Sequence, residues 1–162
     1  MIKNYIKPLL IFIPVALAQL VIVPLISIGS IAPNLVFVLI AWMTLKNGQA
    51  YGTILGFVLG FLLDLISGGI IGAYMLSFTL SAFIAGYFYN ENKIELNTET
   101  FFFLFIVFIT GSISSFIFAA VSTSDSTANF LMMILLDGLL PGLYTALVGL
   151  PMVIITPKKG ML

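Results

Sequence analysis

Gly48-Gln49-Ala50-Tyr51-Gly52-Thr53-Ile54-Leu55-Gly56-Phe57-Val58-Leu59-Gly60-Phe61-Leu62-Leu63-Asp64-Leu65-Ile66-Ser67-Gly68 decides how the rest of the chain is read. Glycine stands at 48, 52, 56 and 60, an acid at 64 and glycine again at 68, each four residues after the last, in an otherwise apolar run. On a helix this spacing makes one slowly drifting stripe. Glycines along such a stripe bare a ridge that lets a second backbone come close enough for dispersion and Cα–H contacts to act. The segment predicts a membrane helix over 50–67. Its Gly52, Gly56 and Gly60 face packs within this chain or against a partner, and Asp64 stands near its outer end.

Composition extends that reading to the whole chain. Of 162 residues, 61% are hydrophobic and 7% charged, against about 45–50% and 25% in a soluble domain. Mean hydropathy is +1.23. So little charge cannot cover a water-exposed surface, so the apolar surface has to face lipid. There is no Cys, His or Arg, and all six basic residues are Lys. Thiolate nucleophiles, His general bases, zinc sites and Arg clamps on phosphate are therefore excluded, and neither metal nor cofactor is expected. Zero formal net charge gives no reason to expect a nucleic-acid partner.

Apolar runs near 9–28, 33–45, 50–67, 70–89, 101–121 and 129–155 predict six membrane-spanning helices. Turn residues separate them: Ser27, Gly29, Ser30 and Pro33; Lys46, Asn47 and Gly48; Ser67, Gly68 and Gly69. With six crossings and a cytoplasmic N-terminus, Lys3, Lys7, Lys46, Lys93, Lys158 and Lys159 all fall on the cytoplasmic side. An odd number would put Lys158 and Lys159 outside. The fold class expected is an all-α integral membrane protein, a six-helix transmembrane bundle forming one domain over 1–162, with both termini cytoplasmic. Span two is short for the hydrocarbon core and is expected to borrow irregular backbone from residues 27–33, shielded by protein. Ala16-Leu17-Ala18 resembles a signal-peptidase site, but the apolar run continues through Ile28, so an uncleaved anchor is expected.

Small residues recur at four-residue spacing elsewhere: Ala73, Ser77, Ser81 and Ala85; Gly111, Ser115 and Ala119; Gly138, Gly142 and Ala146. Close packing is the expectation there, with Pro141 and Pro151 bending span six. Asp64 and Asp137 are the two acids within apolar runs. An acid in the bilayer centre costs about 2.5–3.5 kcal/mol, so each should face protein or water. Asp64 is expected to cap the amides at Gly68, Gly69 and the start of span four. Gln19 should bond across helices as a buried amide. Glu91, Glu95 and Glu99 read as a solvated face, and Asn97 or Thr98 as a cap for span five.

Gln19, the Ala32-Pro33-Asn34-Leu35 opening of span two, and Gly56-Phe57-Val58-Leu59-Gly60-Phe61-Leu62-Leu63-Asp64-Leu65-Ile66-Ser67-Gly68 followed by Gly72 together resemble the rod shape-determining protein MreD family. The resemblance spans the chain, although after Asn90 it is one of hydropathy only, and Asp137 has no place in the family pattern. It implies a non-enzymatic multi-pass component of the bacterial inner membrane, surrounded by membrane lipid. Such proteins bind MreC and help couple cytoplasmic MreB filaments to RodA and a class B penicillin-binding protein during wall elongation. It also implies a six-helix architecture similar to the substrate-binding subunits of energy-coupling-factor vitamin transporters. Those subunits are the alternative functional class. They typically carry an alanine row in span one, and here Ala16 and Ala18 are followed by Leu20, so that row is missing. A proton-linked carrier using Asp64 and Asp137 would need a basic relay partner, and no Lys lies in either span.

Overall fold

In hydrocarbon a backbone can bond only to protein, so long apolar runs must close their hydrogen bonds as helices. The computed structural model describes residues 3–29, 31–122 and 130–155, and it is helical along most of them. Helix α1 runs Lys3–Val21 with Pro8 and Pro14 inside it, and a single further turn, α2, covers Val23–Ile26. An irregular link follows, closed by an antiparallel bridge between Ile28 and Ile31 around Gly29, whose φ is +62°. Helices α3 (Leu35–Asn47), α4 (Gln49–Ser67) and α5 (Ala73–Ala85) come next, the last extended by a 3-10 turn over Gly86–Phe88. The polar stretch after Asn90, read from sequence as a loop, instead forms a 3-10 turn at Glu91–Lys93 and a short helix α6, Ile94–Glu99. Helix α7 spans Phe101–Ser122.

Span six is not one regular helix. A turn α8 (Phe130–Met132) passes into a π-helical segment, Met133–Leu139, then into α9 (Leu140–Val148) and α10 (Leu150–Ile155). Pro141 explains the change of register. It has no N–H for the carbonyl four residues back, and its ring crowds that turn. The Leu140 N–H accordingly donates to the Leu135 carbonyl, five residues back. Most of the Ser/Thr-rich segment, residues 123–129, and Lys158 and Lys159 lie outside the described residues.

Gln49–Ser67, Phe101–Ser122 and Met133–Ile154 are each long and apolar enough to cross a membrane. Lys7–Val21, Leu35–Asn47 and Ala73–Phe88 are apolar but shorter. The shortest of the six, α3, is the axis of the bundle. Val36, Phe37, Ile40, Ala41 and Leu45 are fully buried, and α3 contacts α1, α4, α5, α6, α7 and α9. A helix apolar on all sides belongs inside protein, and one wrapped by its neighbours has no need to match the bilayer itself. Helix α4, by contrast, exposes Ile54, Phe57, Phe61 and Leu65 on one face, as a lipid-facing helix does.

Two glycine seams set the spacing. A Cβ on Gly56 would stand 2.7 Å from the Phe78 carbonyl oxygen, and one on Gly60 would stand 2.7 Å from the Tyr74 carbonyl oxygen and from Met75 Cα. Both obstacles are backbone, so α4 and α5 touch main chain to main chain. Gly52, farther along the same drifting stripe, meets the Thr44 side chain of α3. The second seam joins α7 to α9, where a Cβ on Gly142 would lie 2.6 Å from the Ser112 nitrogen and Gly111 lies opposite Gly142. Gly138 abuts Phe116 Cβ.

Gly60→Ala should therefore destabilise the protein by about 1–3 kcal/mol, because the α5 backbone has to move. Gly69→Ala, with only Ser67 Oγ nearby at 3.7 Å and no positive φ, should stay within about 0.5 kcal/mol of the parent. Thermal unfolding in detergent measures both, and equal shifts for the two would contradict the seam.

Candidate functional site

Gln19, Asp64 and Asp137 gather at one end of the bundle, where the chain twice leaves helical conformation. Helix α4 stops at Gly68, which is left-handed at φ +66°, and Gly72, at φ +102°, opens α5. Positive φ is cheap for glycine alone, so both positions are built for it. The first amides of α5 have no carbonyl of their own helix to meet, and Asp64 supplies the acceptor. Its Oδ2 accepts from the Gly72 N–H at 2.9 Å and from the Met75 N–H at 3.0 Å, while Oδ1 accepts from the Tyr74 N–H at 3.0 Å. The side chain is 1% exposed. Hydrogen bonds to a charged group contribute about 1.5–3 kcal/mol each, so three of them outweigh the insertion cost of one acid, and the positive helix end adds to them. The sequence expectation placed this cap on Gly68, Gly69 and the start of span four. The structure bears out the last of these, at Gly72, Tyr74 and Met75, and not the first two, because two left-handed residues carry the chain back over the carboxyl group.

The second break, residues 27–34, is tied down by side chains from two helices, α1 and α9. Gln19 donates from Nε2 to the Pro33 carbonyl at 3.1 Å and accepts at Oε1 from the Leu35 N–H at 2.7 Å. It thus bonds across from α1 to the first residue of α3, as expected, and to the link before it. Asn34 caps α3, accepting at Oδ1 from the Phe37 N–H, and its own N–H donates to Thr145 Oγ1 at 2.9 Å. The Tyr144 hydroxyl donates to the Ile26 carbonyl at 2.7 Å. Pro33, buried, needs no acceptor of its own. Sequence reasoning found Gln19, Pro33 and Asn34 but missed Tyr144 and Thr145, which lie more than 100 residues away in the chain. No local pattern points from one to the other.

Between the two breaks lie two contiguous cavities of about 250 and 330 Å³, which share Gln19, Ala32 and Tyr74. Tyr74 stacks on Phe118 with ring centroids 4.3 Å apart, so the capped start of α5 also forms cavity wall. Asp137, half-buried in the π-helical segment, lines the smaller cavity with Asn34, Ser114, Ser115 and Ser122. Of the residues singled out from sequence, Asp64, Gly68, Gly72, Gln19, Pro33, Asn34 and Asp137 are brought to this end, whereas Gly52, Gly56 and Gly60 descend away from it along α4.

Among the described residues, Lys46, Glu91, Lys93, Glu95 and Glu99 stand at the opposite end. Lys46 ends α3 with its Nζ 3.9 Å from the centre of the Trp42 ring. The Gln49 side chain packs on Gly86 and donates to the Phe83 carbonyl. Asn97 and Thr98 are buried within α6, and Asn97 Nδ2 donates to the Phe88 carbonyl at 2.6 Å. Neither caps α7. That cap is Thr100, whose Oγ1 accepts from the Phe102 N–H at 3.3 Å.

An apolar helical bundle with three helices long enough to cross a bilayer belongs to the class of helical membrane proteins. The family model described as rod shape-determining protein MreD matches residues 2–147, and the chain belongs to that family. The family serves rod-shape determination within the MreBCD system. No curated protein and no solved structure matches the chain.

Asp64→Ala leaves three partly buried helix-start donors without their acceptor and should cost about 3 kcal/mol, with Asp64→Asn, which keeps one oxygen, falling between. Asp137→Ala should unfold near the parent temperature, since no hydrogen bond within the described residues ends on its side chain. Thermal unfolding of the four proteins in one detergent checks the order, and equal effects at 64 and 137 would refute it.

Proposed function

We propose that this protein is a non-enzymatic scaffold of the bacterial elongation machinery, one six-helix transmembrane domain of the inner membrane with both termini cytoplasmic. It binds MreC and helps couple MreB filaments to peptidoglycan synthesis by RodA and a class B penicillin-binding protein. The observation that carries the reading is the match to the MreD family over residues 2–147. The segregation of charge supports the topology: Lys7, Lys46 and Lys93 stand at the end of the bundle away from Asp64 and Asp137, as cytoplasmic flanks do. The short α3 completes its crossing with the bonded link of residues 27–34, and irregular backbone at membrane depth is tolerated where protein satisfies it.

In this reading Gly52, Gly56 and Gly60 set the spacing of the bundle. Asp64, Gly68 and Gly72 shape an outer rim near MreC, from which Ile70 and Ile71 project with 49% and 69% of their surface exposed. Gly56→Leu should abolish recovery of MreC with the tagged protein. Ile71→Lys alters the rim without touching the packing, and should lower MreC recovery at unchanged unfolding temperature. Full MreC recovery with both variants would sink the proposal.

A further inference from the structure

Helix α7 carries Ser and Thr side chains of two kinds. Thr110 and Ser112 bond back to the Ile106 and Phe108 carbonyls of their own helix, as hydroxyls in an apolar setting do. Ser114, Ser115 and Ser122 have no bonded partner among the described residues, and all three line the 250 Å³ cavity. Asp137 faces the same space, also without a partner among the described residues, from a segment in π-helical register. Gln19, Asn34 and Thr145, at the same end, are by contrast engaged in holding backbone. An acid and three hydroxyls left over on one cavity wall are what a ligand would use. Local π-helix is frequent at such sites.

The lining also restricts the ligand's chemistry. No lysine contributes to either cavity, so a headgroup of net negative charge meets no cation there and faces Asp137. The adjoining 330 Å³ cavity adds Leu20, Val23, Pro24 and Leu63, beside Ser27 and Ser67, whose hydroxyls are already bonded to main-chain carbonyls. A ligand that fits both has N–H donors at one end and hydrocarbon at the other. We propose that this paired cavity binds a membrane lipid with a primary ammonium headgroup, of the phosphatidylethanolamine class. Asp137 accepts from the ammonium, the Ser115 and Ser122 hydroxyls donate to the phosphate, and an acyl chain lies along Val23 and Leu63. Phosphatidylcholine, whose quaternary nitrogen has no N–H, and phosphatidylglycerol, with net negative charge, bind less well.

The test is native mass spectrometry of the full-length protein, delipidated and titrated in detergent with phosphatidylethanolamine, phosphatidylcholine or phosphatidylglycerol of identical acyl chains. Phosphatidylethanolamine should be retained preferentially. Asp137→Asn should reduce that retention about tenfold, the loss of one charge-assisted hydrogen bond, at unchanged unfolding temperature. Ser115→Leu, which fills the cavity, should reduce it as well. Equal retention of the three lipids overturns the proposal, as does undiminished retention by Asp137→Asn. Water-soluble glycerophosphoethanolamine separates headgroup from lipid: weak competition is expected, and competition equal to that of the lipid would overturn the role given to the apolar cavity.

Discussion

Three backbone N–H groups converge on the Asp64 carboxyl group, and the remaining packing of α4 against α5 depends on that convergence. In lipid, an amide at a helix start has no water to turn to, so the break between these helices can exist only if protein supplies the acceptors. Asp64 supplies all three from a single side chain. Fixing Gly72, Tyr74 and Met75 also fixes where α5 begins along α4. Gly60 then lies against Met75 and Gly56 against Phe78. A shift by one residue would set a side chain, not a glycine, against those backbone atoms. The acid and the stripe are therefore one device: the carboxyl group sets the register, and the glycines let the helices use it.

The link of residues 27–34 solves the same problem with neutral groups. Gln19, Thr145 and Tyr144 take up the main-chain groups that a continuous helix would have bonded internally. This allows α3 to be short and central. The two solutions stand at the same end of the bundle and enclose the cavities between them, so that rim is ordered by hydrogen bonds while the rest of the bundle is ordered by shape. For a family that serves rod-shape determination, such a rim offers a fixed surface on the end away from Lys46 and Lys93.

Much of this is legible in the sequence because the membrane makes some patterns costly to violate. Four-residue glycine spacing, an acid at the end of the stripe and the turn residues at 68–72 admit few readings, and Gln19 within an apolar run has to find a bond. What local reading misses is set by distant contacts. Asp64 was expected to cap Gly68, Gly69 and the start of span four; the last holds, while the left-handed conformations of Gly68 and Gly72 take its acceptors past Gly68 and Gly69 to Gly72, Tyr74 and Met75. Nothing near Asn34 points to Thr145. The π-helical register before Pro141 is a different case: the proline was read as a bend, and the missing N–H that shifts the hydrogen bonds could have been read from the same residue. Helix α6 was hidden because a run containing Glu91, Lys93, Glu95 and Glu99 looks like a loop, while Asn97 and Thr98 are buried by helices far along the chain.

The central claim is that Asp64 holds the start of α5 and, through it, the register of the α4–α5 seam. Amide hydrogen exchange of the protein in lipid nanodiscs addresses it residue by residue, comparing the parent with Asp64→Asn. The account predicts that the Gly72, Tyr74 and Met75 amides are protected in the parent and lose protection in the variant, while amides in the middle of α7 keep theirs. Undiminished protection at Gly72, Tyr74 and Met75 in the variant would contradict it.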